Sequence, residues 1–398
     1  MKMVSLQNLV EKNTKVAGEN KYPVLSITAG VGFVNQAEKF GKEIAGAQYV
    51  HYTILGKGDF SYNKGNSNTY PQGCIYRQDE YEKAAVPNVF NSFHFISSEV
   101  DTDYYKYLFE SGYLNHQLFR LINSGVRDDG LLNLYEDDFY SCKVPCPPLA
   151  EQKRIAEILG CCDRVIALKK ELIAEKKRQK KALMQKLLNP DSGFRLAGFK
   201  GEWHSIRLEN CGCWVGGGTP SKQNRDFWEN GTIKWISSQE VKTRLLVDTT
   251  YKITENAINV SASNLVPKNS LIFVSRSGVL RHSFPVAKII ESMAINQDIK
   301  ALTPHKTIEI DFFHFLIENK ESDIIRNYVT TGTTVESLRF DDFMKMLVDV
   351  PSKKEQQAIA NILSAADEEI DLLEQELVQQ QQKKKSLMQL LLTGIVRV

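Results

Sequence analysis

Pro147-Pro-Leu-Ala-Glu151-Gln152-Lys-Arg-Ile155-Ala156-Glu-Ile158-Leu159 and Pro351-Ser-Lys-Lys-Glu355-Gln356-Gln-Ala-Ile359-Ala360-Asn-Ile362-Leu363 are one stretch written twice. Extended to 147–188 and 351–392, the two copies align without a gap at an offset of 204, with 17 identities in 42 pairs. Asp163/Asp367 and Ile166/Ile370 match along the way, and Lys-x-Leu-Met-Gln-x-Leu-Leu closes both copies, at 181–188 and 385–392. Just upstream, Asp137-Asp138-Phe139 repeats as Asp341-Asp342-Phe343. Self-similarity at a fixed offset marks a duplicated structural module.

Each copy predicts one long helix. A proline precedes it, Glu and Gln fall in the first turn, and no Gly or Pro interrupts 161–189 or 352–393. Asn189-Pro190 stops the first helix and Thr393-Gly394 the second. Apolar residues recur at the 3.5 spacing of a coiled-coil seam. In the first copy they include Ile155, Leu159, Ile166, Ile173, Leu183 and Leu187. In the second they include Ile359, Leu363, Ile370, Leu377, Leu387 and Leu391. About 38 residues at ~1.5 Å each gives a rod of about 57 Å.

Charge selects how the rods pair. Residues 150–190 carry +6 and residues 351–398 carry −1. Parallel pairing in register sets Lys180-Lys181 against Lys384-Lys385, a like-charge clash, whereas antiparallel pairing sets Lys176–Lys181 against Asp367, Glu368, Glu369 and Asp371 and Lys383–Lys385 near Asp163. Individual exposed pairs are weak, but such charges choose orientation. The expected fold is therefore α+β: two globular domains joined by two long antiparallel coiled-coil helices, with a pseudo-twofold internal repeat. The boundaries expected are a first domain at 1–146, a first helix at 147–190, a second domain at 191–350, and a second helix with its tail at 351–398.

The two domain segments carry −3 and 0, and both mix short β-rich runs with turn signals. Strands are expected at Pro23–Thr28, Tyr49–Leu55, Ile233–Ser237 and Ser270–Ser275, and amphipathic helices near Tyr104–Asn123 and Phe312–Tyr328. Their Gly-rich polar stretches hold the chemistry. Gly56–Asn68 and Gly216–Arg225 combine glycines, amides and basic residues, joined by Ser237-Ser238-Gln239-Glu240, Ser275-Arg276-Ser277-Gly278 and Asn296-Gln297. Asn, Gln, Arg and Ser read base edges, while Gly lets backbone N–H groups approach phosphate. The candidates for DNA contact are Asn63, Lys64, Asn66, Ser221, Lys222, Arg225, Gln239, Arg276 and Arg281. Asn296-Gln297 admits a second reading, as a buried amide pair that satisfies backbone groups.

Other functions are excluded by what the chain lacks. A net charge of +2 over 398 residues excludes a protein that coats nucleic acid by electrostatics alone. No apolar run is long enough to span a membrane, and the first residues lack a signal-peptide core. Seven cysteines without an export signal point to packing thiols in a reduced, cytoplasmic setting, not a disulfide framework or a metal centre. There is no Gly-x4-Gly-Lys-Ser/Thr loop, no dinucleotide fingerprint and no Asn/Asp-Pro-Pro-aromatic element, and the seven histidines are scattered. No catalytic constellation, metal site or cofactor site is expected.

The order domain–helix–domain–helix, with Glu151-Gln152-x-x-Ile155 and Glu355-Gln356-x-x-Ile359 opening the helices, resembles the specificity subunit of type I restriction–modification systems. Gly217-Gly218-Thr219-Pro220-Ser221, Lys234-Trp235-Ile236 and Asn296-Gln297 look like one common type of target-recognition domain. Leu25-Ser26-Ile27-Thr28 and Phe60–Lys64 look like a different type. One departure is Pro351-Ser352, where the family has Pro-Pro, and it is expected to affect only the helix entry. The resemblance implies a non-catalytic subunit that reads a bipartite double-stranded DNA site, with the helices as a ruler. It implies two methyltransferase subunits and restriction/translocase subunits as partners, with S-adenosylmethionine and ATP handled by them. The rival reading is a cytoplasmic coiled-coil adaptor whose two domains bind proteins.

Overall fold

The computed structural model describes residues 2–41, 46–65, 69–122, 131–330 and 335–398. The chain divides into two compact units, Met1–Lys170 with Gln375–Val398, and Glu171–Glu374. The four principal helices are α1 (Thr102–Glu110), α2 (Leu149–Leu187), α3 (Ile310–Asn319) and α4 (Lys353–Leu392). Both long helices contribute to both units, so the division falls within each helix and not at its ends.

The first unit is built on a four-stranded antiparallel sheet in the order Val10–Lys12, Asn91–Phe95, Phe60–Asn63, Cys74–Arg77. Its core is aromatic. Phe60 stacks on Phe93 at 5.6 Å, Tyr62 on Phe139 at 4.7 Å, and Phe95 meets Tyr105 of α1 at 4.6 Å. Aromatic burial of this kind supplies much of the stabilisation a small sheet needs. The expected Gly-rich loop at 56–68 is thus only partly a loop, because Phe60–Asn63 is a central strand whose Phe60 and Tyr62 are fully buried. Gly58 (φ +94°) makes the turn before it. The helix expected over Tyr104–Asn123 is broken at Gly112 (φ +72°), where a Cβ would lie 2.7 Å from Asn115 Nδ2.

The second unit has two sheets. One runs Gly212–Gly216, Ile299–Pro304, Leu271–Val274, Val286–Ile289, Leu245–Leu246. The other runs Tyr251–Ile253, Ile233–Ile236, Met293–Ile295, Asn264–Val266, with 233–236 parallel to 293–295. Leu271–Val274 is buried along its whole length, as expected of a central strand packed on both faces.

The long helices pair antiparallel, as the charges predict. In the first unit Lys384 lies 2.6 Å from Asp163 and Lys169 2.6 Å from Glu376. In the second, Lys176 meets Glu369 at 2.5 Å, Lys177 meets Glu374 at 2.7 Å and Lys180 meets Asp367 at 2.7 Å. Helix ends also belong to the domain cores. Ile155, Leu159 and Leu391 join the aromatic core of the first unit, while Leu187, Ile359 and Leu363 join the core of the second. Ile173 and Ile370 are buried, and Ile166, Leu183, Leu377 and Leu387 are half-buried.

The repeated Glu-Gln has a defined task. Gln152 Oε1 accepts from Asp101 N at 2.8 Å, and its Nε2 donates to Glu99 O (2.7 Å) and Pro147 O (2.8 Å). Gln356 repeats this on Glu309 N (2.8 Å), Thr307 O (3.2 Å) and Pro351 O (2.8 Å). Asp101 and Glu309 are the N-caps of α1 and α3, so each buried glutamine ties a long helix to the start of the domain helix it packs against. The adjacent glutamates are held by two-pronged arginine pairs, Glu151 by Arg397 and Glu355 by Arg195. The arginine holds the Glu151 carboxyl below its ordinary range. At the Pro351-Ser352 departure the Ser352 hydroxyl accepts from Glu355 N at 3.4 Å, which adds a cap at the helix entry.

Candidate nucleic-acid interface

The sheet registers of the second unit collect several loops at one end. Strands 233–236 and 293–295 are parallel, so the segments leaving them emerge together, and Asn296 N donates to Ile236 O at 3.0 Å. Leu271–Val274 lies antiparallel to Ile299–Pro304, which brings Ser275 to the same place, its N 2.8 Å and its Oγ 2.9 Å from Asp298 O. The Gly-rich loop joins them through Gly218 N, 3.0 Å from Ile295 O. Its glycines are required by close approach. A Cβ on Gly217 would fall 2.0 Å from Ile295 O, and one on Gly218 2.7 Å from Ala262 O.

Indole N–H groups then pin the loop's carbonyls. Trp235 Nε1 donates to Gly218 O at 3.2 Å and Trp228 Nε1 to Ser221 O at 3.1 Å, and the two rings meet edge to face at 5.2 Å. The Thr219 hydroxyl donates to Gln297 Oε1 at 2.6 Å. The Gly-Gly-Thr-Pro-Ser, Lys-Trp-Ile and Asn-Gln elements are therefore one construction, a rigid base that leaves the side chains beyond it in solvent.

Of the candidates in this unit, Ser221 and Lys222 on the Gly-rich loop, Gln239 on the turn after strand 233–236, and Arg276 after strand 271–274 are all exposed. Arg225 is exposed but lies toward the other end of strand 233–236, since Phe227 O accepts from Thr254 N and Ile253 pairs with Ile233. It sits 3.7 Å from Glu229. Arg281 is committed to Glu336, its Nε 2.8 Å from Oε1 of a carboxylate whose side chain is only 4% exposed. In the first unit Asn63 is half-buried at a strand end, its Oδ1 accepting from Gly65 N at 2.9 Å. Lys64 beside it is half-buried, and its carbonyl accepts from Leu132 N at 3.0 Å. Asn66 lies outside the described residues. The amide pair divides: Asn296 is buried, its Oδ1 accepting from Asp298 N at 3.1 Å, whereas Gln297 is exposed.

Sequence reading placed Trp235 in an expected strand and in the Lys-Trp-Ile element without a role for its indole N–H, and it passed over Trp228 and Glu336. Nothing in the local pattern marks them, because their partners lie 7 to 55 residues away. Burial pushes the thiols of Cys74 and Cys142 up to about 11 and that of Cys211 up to about 12, the behaviour of packing cysteines. Among the described residues no group of three or more His, Cys, Asp or Glu is placed to hold a metal ion, and no helix is long and apolar enough to cross a membrane. Loops of amides, hydroxyls and basic side chains on a braced base suit the recognition of base edges and phosphates.

Comparison with known proteins agrees with this arrangement. The family described as Type I restriction modification DNA specificity domain matches twice, at residues 7–178 and 200–380. The EcoR124I/EcoR124II specificity subunit of Escherichia coli is 36% identical over 229 residues, 56% of this chain. The chain spans about half the length of that relative, 55% of it. Among solved structures, the HsdS subunit from Thermoanaerobacter tengcongensis matches with a TM-score of 0.54 at 14% identity over 99% of this chain and 97% of that one. A chain from a type I R-M system solved in a study of complex assembly and conformational transition matches with a TM-score of 0.66, also at 14% identity, over 98% and 97%. These two likenesses concern the fold. Nothing in these matches favours a protein-binding adaptor. With two domains on two repeated helices, and the family covering most of the sequence in two copies, this chain belongs to the type I restriction–modification DNA specificity family.

Proposed function

We propose that the chain is the DNA-recognition subunit of a type I restriction–modification complex. Each unit reads one half of a bipartite double-stranded target, and the two long helices common to both units serve as the ruler that leaves the intervening base pairs unread. The single observation that carries this reading is the duplication of the scaffold beneath dissimilar domains. Gln152 and Gln356 make the same three kinds of hydrogen bond, while the sheets they support differ in strand order and loop chemistry. A repeated base with two different tops suits the recognition of two different sequences.

The same duplication offers equivalent docking positions to two identical methyltransferase subunits, with restriction/translocase subunits completing the assembly. S-adenosylmethionine and ATP chemistry belongs to those partners, and this chain, without catalysis of its own, works with them in the cytoplasm. The test is salt-dependent binding of duplex DNA by the full chain with methyltransferase subunits. Binding that weakens linearly on a logarithmic salt scale, at about 0.9 per phosphate contact, with a specific sequence preferred over bulk DNA, supports the reading. Binding to protein alone, with no preference among duplexes, contradicts it.

A further inference from the structure

Gln297 lies where the loops of the second unit meet, and it is exposed yet braced at both ends of its amide. Its Oε1 accepts the Thr219 hydroxyl at 2.6 Å, and its Nε2 donates to Asp298 Oδ2 at 3.2 Å. Asp298 is itself fixed, its N 3.1 Å from Asn296 Oδ1, its side chain 3.4 Å from Asn296 Nδ2, and its carbonyl held by Ser275. Fixing a long side chain at the surface costs rotamer entropy that solvent exposure does not return. The braces use one of two N–H donors and one of two acceptor sites, so the amide retains a donor and an acceptor. A glutamine that offers one of each is the side chain suited to the N6/N7 edge of adenine.

We propose that Gln297 is a specificity-determining residue, held by Thr219 and Asp298 to read one base pair of the half-site recognised by the second unit. The inference rests on the DNA-recognition reading above. Lys222 and Arg276, exposed on the adjoining loops, supply phosphate contacts that position the duplex without reading it. Gln297 is then ordered before DNA arrives, and recognition does not spend affinity on freezing it.

The test is selection of duplexes from a random-sequence library by the full chain assembled with methyltransferase subunits, comparing wild type with Gln297→Ala and Thr219→Val. If wild type selects no motif, the DNA-recognition reading itself fails, independently of Gln297. If it selects a bipartite motif, Gln297→Ala is expected to make one position of one half-site degenerate. Loss of a bidentate base contact corresponds to on the order of ten- to a hundred-fold lower discrimination there. The other half-site and the salt dependence stay unchanged. Thr219→Val, which keeps the glutamine and removes its brace, is expected to weaken discrimination at that same position. An unchanged motif with Gln297→Ala overturns the proposal. So does a uniform loss of affinity with the motif intact, because that assigns Gln297 to the loop's support alone.

Discussion

His314 sits on α3 almost entirely buried, its Nε2 donating to Val286 O at 3.1 Å and its Nδ1 without a partner. Burial, and then the guanidinium of Arg244, hold its pKa down to about 3. The neutral ring is the folded form, and the unfolded chain takes up a proton near the ordinary value of about 6.5. Stability is therefore complete above that value and falls as pH drops from about 6.5 toward 3. By pH 5.5 the loss is about 1.4 kcal/mol. Denaturant titrations of the full chain at pH 7.5 and 5.5 measure it, and His314→Gln should flatten that part of the profile. A second expectation concerns the repeated glutamines. Gln152→Ala or Gln356→Ala orphans an N-cap amide and two carbonyls, which costs about 1–3 kcal/mol, and Glu at the same place restores little because a carboxylate cannot donate to Pro147 O or Pro351 O. Urea midpoints check both substitutions. The glutamines were visible in the sequence as identities in the repeat, but their partners Glu99, Asp101, Thr307 and Glu309 lie some 50 residues upstream and carry no local mark. Arg281 shows the opposite error. Its residue type invites a phosphate contact, and only the fold reveals the buried Glu336 beside it.

At the scale of elements, the long helices were legible nearly to the residue, because a 3.5-residue apolar spacing with no Gly or Pro leaves little alternative. Their orientation was legible too, since the positive run of α2 has its complement in the acidic run at 367–376 in the middle of α4. A double-mutant cycle on Asp163→Asn and Lys384→Met tests the pairing. Antiparallel packing predicts a coupling of about 0.5–1 kcal/mol that shrinks with salt, whereas a parallel pair places these residues at opposite ends and gives no coupling. The sheet elements were harder. Phe60–Asn63 reads as loop because Gly, Lys and Asn crowd around it, and its strand character comes from Phe60 and Tyr62 packing on Phe93 and Phe139, contacts formed only in the assembled core. The interruption at Gly112 and the division of α3 from the next helix, Glu321–Tyr328, are likewise tertiary decisions laid over a continuous amphipathic pattern.

For the whole molecule, duplication is the organising fact. Two compact units each take one end of both long helices, and the first is completed by residues far away in sequence, Gln375–Val398, whereas the second is the continuous segment Glu171–Glu374. The sequence boundaries at 147 and 351 mark where a helix begins, whereas compactness follows where the helix ends are buried, as Leu159 in one core and Leu363 in the other illustrate. In the proposed function each unit independently reads one half of a bipartite site. The direct measurement is the methylated sequence in cells carrying this chain with its methyltransferase subunits, before and after residues 1–146 are exchanged for another target-recognition domain. One half of the motif is expected to change while the other half and the spacer length remain as they were. A motif unchanged in both halves would contradict it.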